Sequence, residues 1–151
     1  MNIIACNDPR LSKKPSKWDE LVDQVNRSKT NQAVLFDGFR DGELITDSKE
    51  AATRIWNLIS EHGAEALLLD VKGYPDTDEP DVFWINAYKH LLDIREFGLY
   101  KTKSKLKVFF ISRYLDNDIR ARLASMDIPD ENILDYYTWD HINFSRGLLH
   151  G

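Results

Sequence analysis

Five short apolar runs, separated by stretches with helical spacing, constrain the fold of this 151-residue chain more than any other feature of its sequence. The runs cover residues 2–6, 33–36, 66–69, 107–111 and 132–134. They lack polar alternation, which is typical of strands buried on both faces, as in a parallel sheet. Because right-handed crossovers place helices on both sides of such a sheet, the pattern predicts a three-layer, doubly wound α/β sandwich. We expect five parallel strands in the order 2-1-3-4-5.

The segments between the runs carry signals for helix ends and turns. Asp47 is a predicted N-cap and Gly63 a predicted stop for the helix that follows a turn-rich segment, 37–42. Pro80 is predicted to open the next helix and Gly98 to end it, with a basic connector over residues 101–107. Thr138 is the predicted cap of a short C-terminal helix. We expect one helix between each pair of successive strands and one after the last.

Composition limits the classes of protein that the chain can represent. A content of 42% hydrophobic residues with only 7 Gly and 5 Pro predicts one compact domain over residues 1–151. The net charge of -5 argues against direct nucleic-acid binding and favours protein or small-molecule partners. Cys6 is the only cysteine, so no internal disulfide can form, and a reducing, cytoplasmic compartment is expected. No run of residues is long enough to suggest a membrane span.

Candidate site residues follow the first, third and fourth runs directly. Asn7 and Asp8 follow the first run, Asp70 follows the third, and Ser112 follows the fourth. In the expected strand order the first and third strands are neighbours at the switch point, where sites of such sheets form. Asp8 and Asp70 are therefore predicted to lie close together and to hold Mg²⁺ through carboxylate oxygens.

Phosphoryl chemistry is one use of such an arrangement. The carboxylate of Asp70 can attack a phosphoryl group and form an acyl phosphate, while the metal ion spreads the developing charge. Ser112 would then donate a hydrogen bond to a phosphoryl oxygen.

The chain resembles, over nearly all of its length, the receiver domain of response regulators in two-component signalling. Residues 7–8 are similar to the acidic pair after the first receiver strand, and residues 67–70 to the run that ends in the phosphoacceptor aspartate. Residues 108–112 are similar to the strand that ends in the switch threonine or serine. The resemblance implies a flavodoxin-like fold with Asp70 as phosphoacceptor, Mg²⁺ held by Asp8 and Asp70, and Ser112 as the switch residue.

The departures from the receiver pattern imply a degenerate site. Asn7 leaves Asp8 as the only acidic member of the first pair, and Tyr136 stands where the receiver lysine is expected. Lys72 can supply a positive charge from another direction, while Arg113 follows Ser112 where receivers have a small residue. Together these residues indicate a divergent receiver or a pseudo-receiver that signals without phosphorylation.

The favoured expectation is therefore a cytoplasmic regulatory domain, without an output domain of its own, that acts through protein–protein contacts. Its partner would be a sensor kinase or a downstream effector, and the face of the fourth helix, fifth strand and fifth helix would dock it or form a homodimer. One alternative is a small α/β enzyme or ligand-binding protein that uses the cleft around Asp8, Asp37 and Asp70. Another is a structural adaptor in which none of these aspartates acts.

Each candidate residue also has a simpler explanation. Asp70 can cap a turn or meet water, Asp8 can serve the turn before Pro9, and Ser112 can be an ordinary loop hydroxyl. The acidic segment 76–81 lacks the glycine and the late glutamate of an EF-hand, which favours a solvated loop over a calcium site.

Overall fold

The structure, a computed structural model, describes residues 1–7, 17–36, 38–71, 82–112 and 117–150, with only the backbone of His150. The strands are β1 (Asn2–Cys6), β2 (Gln32–Phe36), β3 (Phe39–Arg40), β4 (Glu43–Leu44), β5 (Ala66–Asp70), β6 (Lys107–Ser112) and β7 (Ile133–Asp135). The helices are α1 (Lys17–Asn26), α2 (Ser48–His62), α3 (Phe83–Leu92), α4 (Arg95–Ser104), α5 (Asn117–Ala124) and α6 (His141–His150). A 3₁₀ turn, Asp130–Asn132, leads into β7.

The main sheet has five parallel strands in the order β2-β1-β5-β6-β7. Each of the five apolar runs contributes a strand to this sheet, which confirms the α/β class and the parallel pairing. The order along the chain is 2-1-5-6-7 rather than the expected 2-1-3-4-5, because two short strands that were not predicted, β3 and β4, come between β2 and β5.

β3 and β4 form a separate antiparallel hairpin, with Phe39 opposite Leu44. Asp41 and Gly42 connect them with φ angles of 52° and 82°. Positive φ at both central residues is the requirement of a type I′ hairpin turn, which Asp-Gly sequences favour. The turn-rich segment after β2 is therefore a hairpin in its own right.

Helices cover both sides of the main sheet and so make three layers. On one side, here called the α2–α5 face, Cys6, Leu69 and Phe110 pack with residues of α2, α3, α4 and α5. On the other, here called the α1/α6 face, Ala5 and Leu68 pack with residues of α1 and α6. Successive residues of each strand alternate between the two faces, as the pleat of a strand requires.

The predicted ends of α2 are confirmed. The side chain of Asp47 accepts a hydrogen bond of 3.0 Å from the backbone N–H of Lys49, and thereby satisfies one of the free donors of the first turn. Gly63 ends the helix in the left-handed region with φ of 59°, and its N–H donates to the carbonyl of Ile59.

The prediction of one helix from Pro80 to Gly98 is wrong. The chain forms two helices, α3 and α4, which break at Asp93 and Ile94, and Pro80 lies outside the described residues. Gly98 lies inside α4, which Phe97 anchors in the core, and the expected basic connector forms the end of α4, capped by Lys105. Apolar residues recur without interruption across the break, so their spacing did not reveal it.

The cap predicted for the C-terminal helix is also wrong. Asp140, not Thr138, accepts hydrogen bonds from the N–H groups of Ile142 and Asn143, at 3.2 and 3.1 Å. None of the helices that the structure describes combines the length and apolarity that a membrane crossing needs.

Candidate functional site at the carboxyl edge of the sheet

The parallel register brings the ends of β1, β5 and β6 together at one edge of the sheet. Cys6 pairs with Leu69, and Asp70 pairs with Ile111. Asn7 extends the ladder by one residue, since its N–H donates to the carbonyl of Phe36 at 3.0 Å. Asn7 and Asp70, which follow paired residues of neighbouring strands, are therefore adjacent, at the place where the sequence predicted a site.

Three polar side chains at this edge are almost fully buried. Asn7 is 3% exposed, Asp70 2% and Ser112 1%. Both Asp70 and Ser112 take part in interactions within the fold. Burial of polar groups costs free energy unless they are paired, and these interactions are what allow Asp70 and Ser112 to be buried.

Strand alternation assigns Asp70 and Ser112 to opposite faces of the sheet. Asp70 follows Leu68 at the spacing of two that keeps it on the α1/α6 face, whereas Ser112 follows Phe110 on the α2–α5 face. The register sets Ser112 beside Asp135 of β7, one position beyond the row of Asp70. Ser112 therefore reaches the edge from the side opposite to Asp70, and its predicted role toward a phosphoryl group stays a prediction.

Asn7 carries an unusual buried donor. Its Nδ2 atom is fully enclosed and has no hydrogen-bond partner in the part of the chain that the structure describes. A buried donor without a partner costs about 1–3 kcal/mol, and such groups in folded proteins call for a ligand, a water molecule or a functional reason. From the sequence alone, Asn7 is interpreted only as the non-acidic member of a degenerate acidic pair.

The cation that the structure places near the end of β7 comes from α1. Lys17 Nζ donates hydrogen bonds to the carbonyl oxygens of Tyr136, at 2.6 Å, and Trp139, at 3.2 Å. It also lies 4.9 Å from the centre of the Tyr136 ring. Lys17 is 119 residues from Tyr136 in the chain, so no local signal in the sequence could have indicated this contact.

Tyr136 itself lies where the sequence placed it, directly after β7. Its N–H donates to the carbonyl of Ser112 at 2.9 Å, which continues the β6–β7 ladder by one residue. Tyr136 therefore engages Lys17 through both its carbonyl oxygen and its ring.

Two tryptophans, one next to Lys17 in the chain and one whose carbonyl binds Lys17, pack together on the α1/α6 face. The rings of Trp18 and Trp139 lie 5.6 Å apart at an angle of 56°. Both indole Nε1 atoms are buried, and neither finds an acceptor within the described ranges. Next to them His141 of α6 bonds through Nε2 to Glu20 of α1, and so ties the first turns of the two helices together.

Several predicted site residues lie outside the described residues: Asp8, Asp37, Lys72, Arg113 and the acidic segment 76–81. The pairing of Asp8 with Asp70 therefore stays a prediction. Within the residues that the structure describes, no group of three or more His, Cys, Asp or Glu side chains is placed to hold a metal ion.

Two grooves lie apart from this edge. One, of about 430 Å³, lies between β2 and α2, and the other, of about 400 Å³, between α2 and the end of α3. Asn7, Asp70 and Ser112 line neither of them.

No protein-family model, no curated protein and no solved structure matches the chain. Its function is therefore argued from the site alone.

Proposed function

We propose that this chain is a receiver-like regulatory domain with a degenerate site, which acts through contacts with another protein. The observation that carries the proposal is Asp70, a buried carboxyl at the end of the middle strand of a five-stranded parallel sheet. Asn7 on the neighbouring strand and Ser112 on the next lie at the same edge. The flavodoxin-like strand order and the roles of Asp70 and Ser112 belong to this proposal.

The contacts of Lys17 favour a fixed arrangement over a phosphorylation switch. Two of the three protons of its ammonium group are donated to backbone carbonyls, and its charge lies over the Tyr136 ring. A lysine held in this way is not available to bind a phosphoryl group on Asp70. We therefore infer that the domain presents a constant surface rather than one that phosphorylation changes.

A protein partner fits the surface around the end of β7, close to Lys17 and Tyr136. In receivers the fourth helix, fifth strand and fifth helix form the docking face, which corresponds here to α5, β7 and α6. Tyr137, directly after β7, is 67% exposed. Exposed tyrosines are enriched at protein interfaces, where a rigid amphipathic ring gives contact area at a low entropy cost.

The test is an amide NMR titration with Mg²⁺ and beryllofluoride, a mimic of the acyl phosphate, on the wild-type chain and Asp70→Asn. We expect no Asp70-dependent shifts, because the lysine that the described residues place near the end of β7, Lys17, is already bound to backbone carbonyls. Shifts that appear in the wild-type chain and vanish in Asp70→Asn would instead establish a functional phosphoacceptor and overturn the degenerate-site part. Shifts that persist in Asp70→Asn would place the anion elsewhere and count against the receiver-like proposal as a whole.

A ligand-binding function at the same edge is the second candidate. The Nδ2 donor of Asn7, which has no partner among the described residues, favours it. The ligand would offer an oxygen acceptor, and Asp8, Asp37 and Asp70 would orient it. Asn7→Leu removes the donor while keeping the size of the side chain. Small acceptor ligands such as acetate, phosphate and nicotinamide, followed by NMR shifts, should bind the wild-type chain and not Asn7→Leu if this function holds. Equal response of both chains would reject it.

A further inference from the structure

The groove between β2 and α2 is the strongest feature that the proposed function does not use. Its floor is apolar, with Val34 and Leu35 from β2, Phe39 from the hairpin and Leu58 from α2. Arg54 and Glu61 of α2 border it with opposite charges. All of these residues are partly or fully accessible to solvent. A surface that combines an apolar floor with paired charges has the composition of an interface rather than of a solvated groove.

β2 forms one side of this groove and is an edge strand of the main sheet. Its sequence, Gln-Ala-Val-Leu-Phe, contains no charged residue and no proline. Natural edge strands are protected against pairing by lysines, prolines, bulges or covering segments. The other edge strand, β7, is only three residues long and ends in Asp135, so it carries the protection that β2 lacks.

The backbone of β2 is open at one residue. Phe36 and Gln32 bond toward β1, so the intervening Ala33 and Leu35 direct their N–H and C=O groups outward. The side chain of Asn26 covers both groups of Ala33, with distances of 2.7 and 3.2 Å. Within the described ranges nothing comparable covers Leu35. It presents one free donor and one free acceptor, which is the pattern that two antiparallel copies of the same residue satisfy mutually.

The charges on α2 are also self-complementary when two copies of the chain pair with their β2 strands antiparallel. Arg54 and Glu61 are two helical turns apart, about 10 Å along the axis, with Leu58 between them. Both side chains are exposed, and neither has an ion-pair partner among the described residues. If two α2 helices lie antiparallel, Arg54 of one copy faces the partner's Glu61, and the same contact occurs a second time by symmetry.

We propose that two copies of this chain form a two-fold symmetric dimer through the groove. Leu35 lies at the axis and exchanges two backbone hydrogen bonds with the partner's Leu35. The two α2 helices run antiparallel on the same side of the joined sheets, with Leu58 at the centre and an Arg54–Glu61 ion pair at each end. The dimer is independent of any role of Asp70.

The first test is the mass of the wild-type chain in solution, measured by sedimentation equilibrium. The mass should rise from 17.6 kDa toward twice that value as the concentration increases to about 1 mM, the range in which a contact of a few kcal/mol is populated. A chain that remains monomeric throughout this range overturns the proposal and leaves the groove to another protein.

Charge reversal tests the geometry. Arg54→Glu and Glu61→Arg should each weaken the dimer about tenfold or more, because both ion pairs become repulsive contacts. Mixing the two variants should restore association, since the two glutamates of one variant then meet the two arginines of the other. Arg95→Glu, the same change of charge on an exposed residue of α4, is the control and should leave the mass unchanged.

Two further outcomes would overturn the geometry. One is a single variant that associates as strongly as the wild-type chain, and the other is a mixture that associates no more than the separate variants. Circular dichroism of each variant confirms that all remain folded, which is expected because positions 54, 61 and 95 are exposed.

Discussion

The two faces of the main sheet are built from the same strands, yet they differ in how completely their polar atoms are paired. Among the described residues, five buried side-chain atoms lack a hydrogen-bond partner, and four of them lie at the α1/α6 side or the adjoining carboxyl edge. These four belong to Asn7, Trp18, Trp139 and His141. The α2–α5 face is packed by four helices and is almost entirely apolar.

The difference indicates which face of the sheet can tolerate buried polar atoms without partners. An apolar face stabilises the chain through burial, whereas unpaired donors lower the stability and persist only where something else requires them. Asn7 and Asp70 of the candidate site and four of the unpaired atoms lie at the α1/α6 face or the adjoining carboxyl edge, whereas Ser112 lies on the other face. We infer that the α2–α5 face provides more of the stability than the α1/α6 face, at whose carboxyl edge Asn7 and Asp70 lie.

The largest effect is expected from two neighbouring phenylalanines that point to opposite faces. Phe110 is fully buried on the α2–α5 face and packs edge-on against Tyr88 at 5.5 Å, while Phe109 on the α1/α6 face is 9% exposed. Phe110→Ala should lower the free energy of unfolding by about 3–5 kcal/mol, the usual range for a fully buried ring. Phe109→Ala should cost less, and urea denaturation measures both. A larger loss for Phe109→Ala would refute the division of roles between the faces.

The second prediction concerns the exclusion of water from the α2–α5 face at Cys6. Burial raises the pKa of the Cys6 thiol above its ordinary value of 9.0, so the folded chain holds this proton more tightly than the unfolded chain. The contribution of this proton to the free energy of unfolding is fully present below pH 9. It is lost as the pH rises further, at about 1.4 kcal/mol per pH unit. Burial also raises the pKa of Tyr88 above 10.0, partly offset by Lys101, which adds to the loss at still higher pH.

Urea denaturation between pH 8 and pH 10 checks this expectation, with Cys6→Ala as the matched control. The variant lacks the titrating thiol, so its stability should decline less steeply just above pH 9. Equal slopes for the two chains would show that Cys6 titrates in the folded state as it does in water, and that the α2–α5 face is not dry at this position.

A third, smaller effect is expected from Lys17 on the α1/α6 face. Lys17→Met keeps most of the side-chain volume but removes the donors that bind the carbonyls of Tyr136 and Trp139. The loss of these charge-assisted bonds should cost about 1–3 kcal/mol of unfolding free energy. Lys29→Met, at an exposed position, should change the stability by less than about 0.5 kcal/mol. If the Lys17→Met chain is as stable as the wild type, the hydrogen bonds from Lys17 to Tyr136 and Trp139 do not contribute to the stability of the fold.

The sequence was sufficient for the parts of the fold that depend on local patterns. The buried runs indicated all five strands of the main sheet, and Asp47 and Gly63 marked both ends of α2. The hairpin of β3 and β4 escaped prediction because strands of two residues have no periodicity to detect. The break between α3 and α4 escaped it because apolar spacing continues through Ile94.

The site was predictable in position and less so in composition. The ends of parallel strands indicated that Asp70 and Ser112 lie at one edge, and both are buried there. Their assignment to opposite faces follows from the pleat once the strand bounds are known. Lys17 and the tryptophan pair depend on contacts between α1 and the start of α6, more than a hundred residues apart, which no local pattern encodes.

The smallest effect separates the two faces most directly, through one tryptophan on each. Trp84 on the α2–α5 face packs edge-on against Phe36 and Phe83, at 5.8 and 5.1 Å, so Trp84→Phe should cost about 1–3 kcal/mol. Trp18→Phe also removes apolar surface, but it eliminates a buried N–H that has no acceptor in the described part of the chain. Because that relief is worth about 1–3 kcal/mol, the two terms should nearly cancel.

The unfolding free energy of Trp18→Phe should therefore stay within about 1 kcal/mol of the wild-type value. Thermal and urea denaturation of both variants decide the point. If Trp18→Phe costs as much as Trp84→Phe, the indole of Trp18 has an acceptor in solution, and the α1/α6 face is as well paired as the other. If it costs nothing, the removal of the unpaired indole donor offsets the loss of apolar contact, as the comparison of the two faces requires.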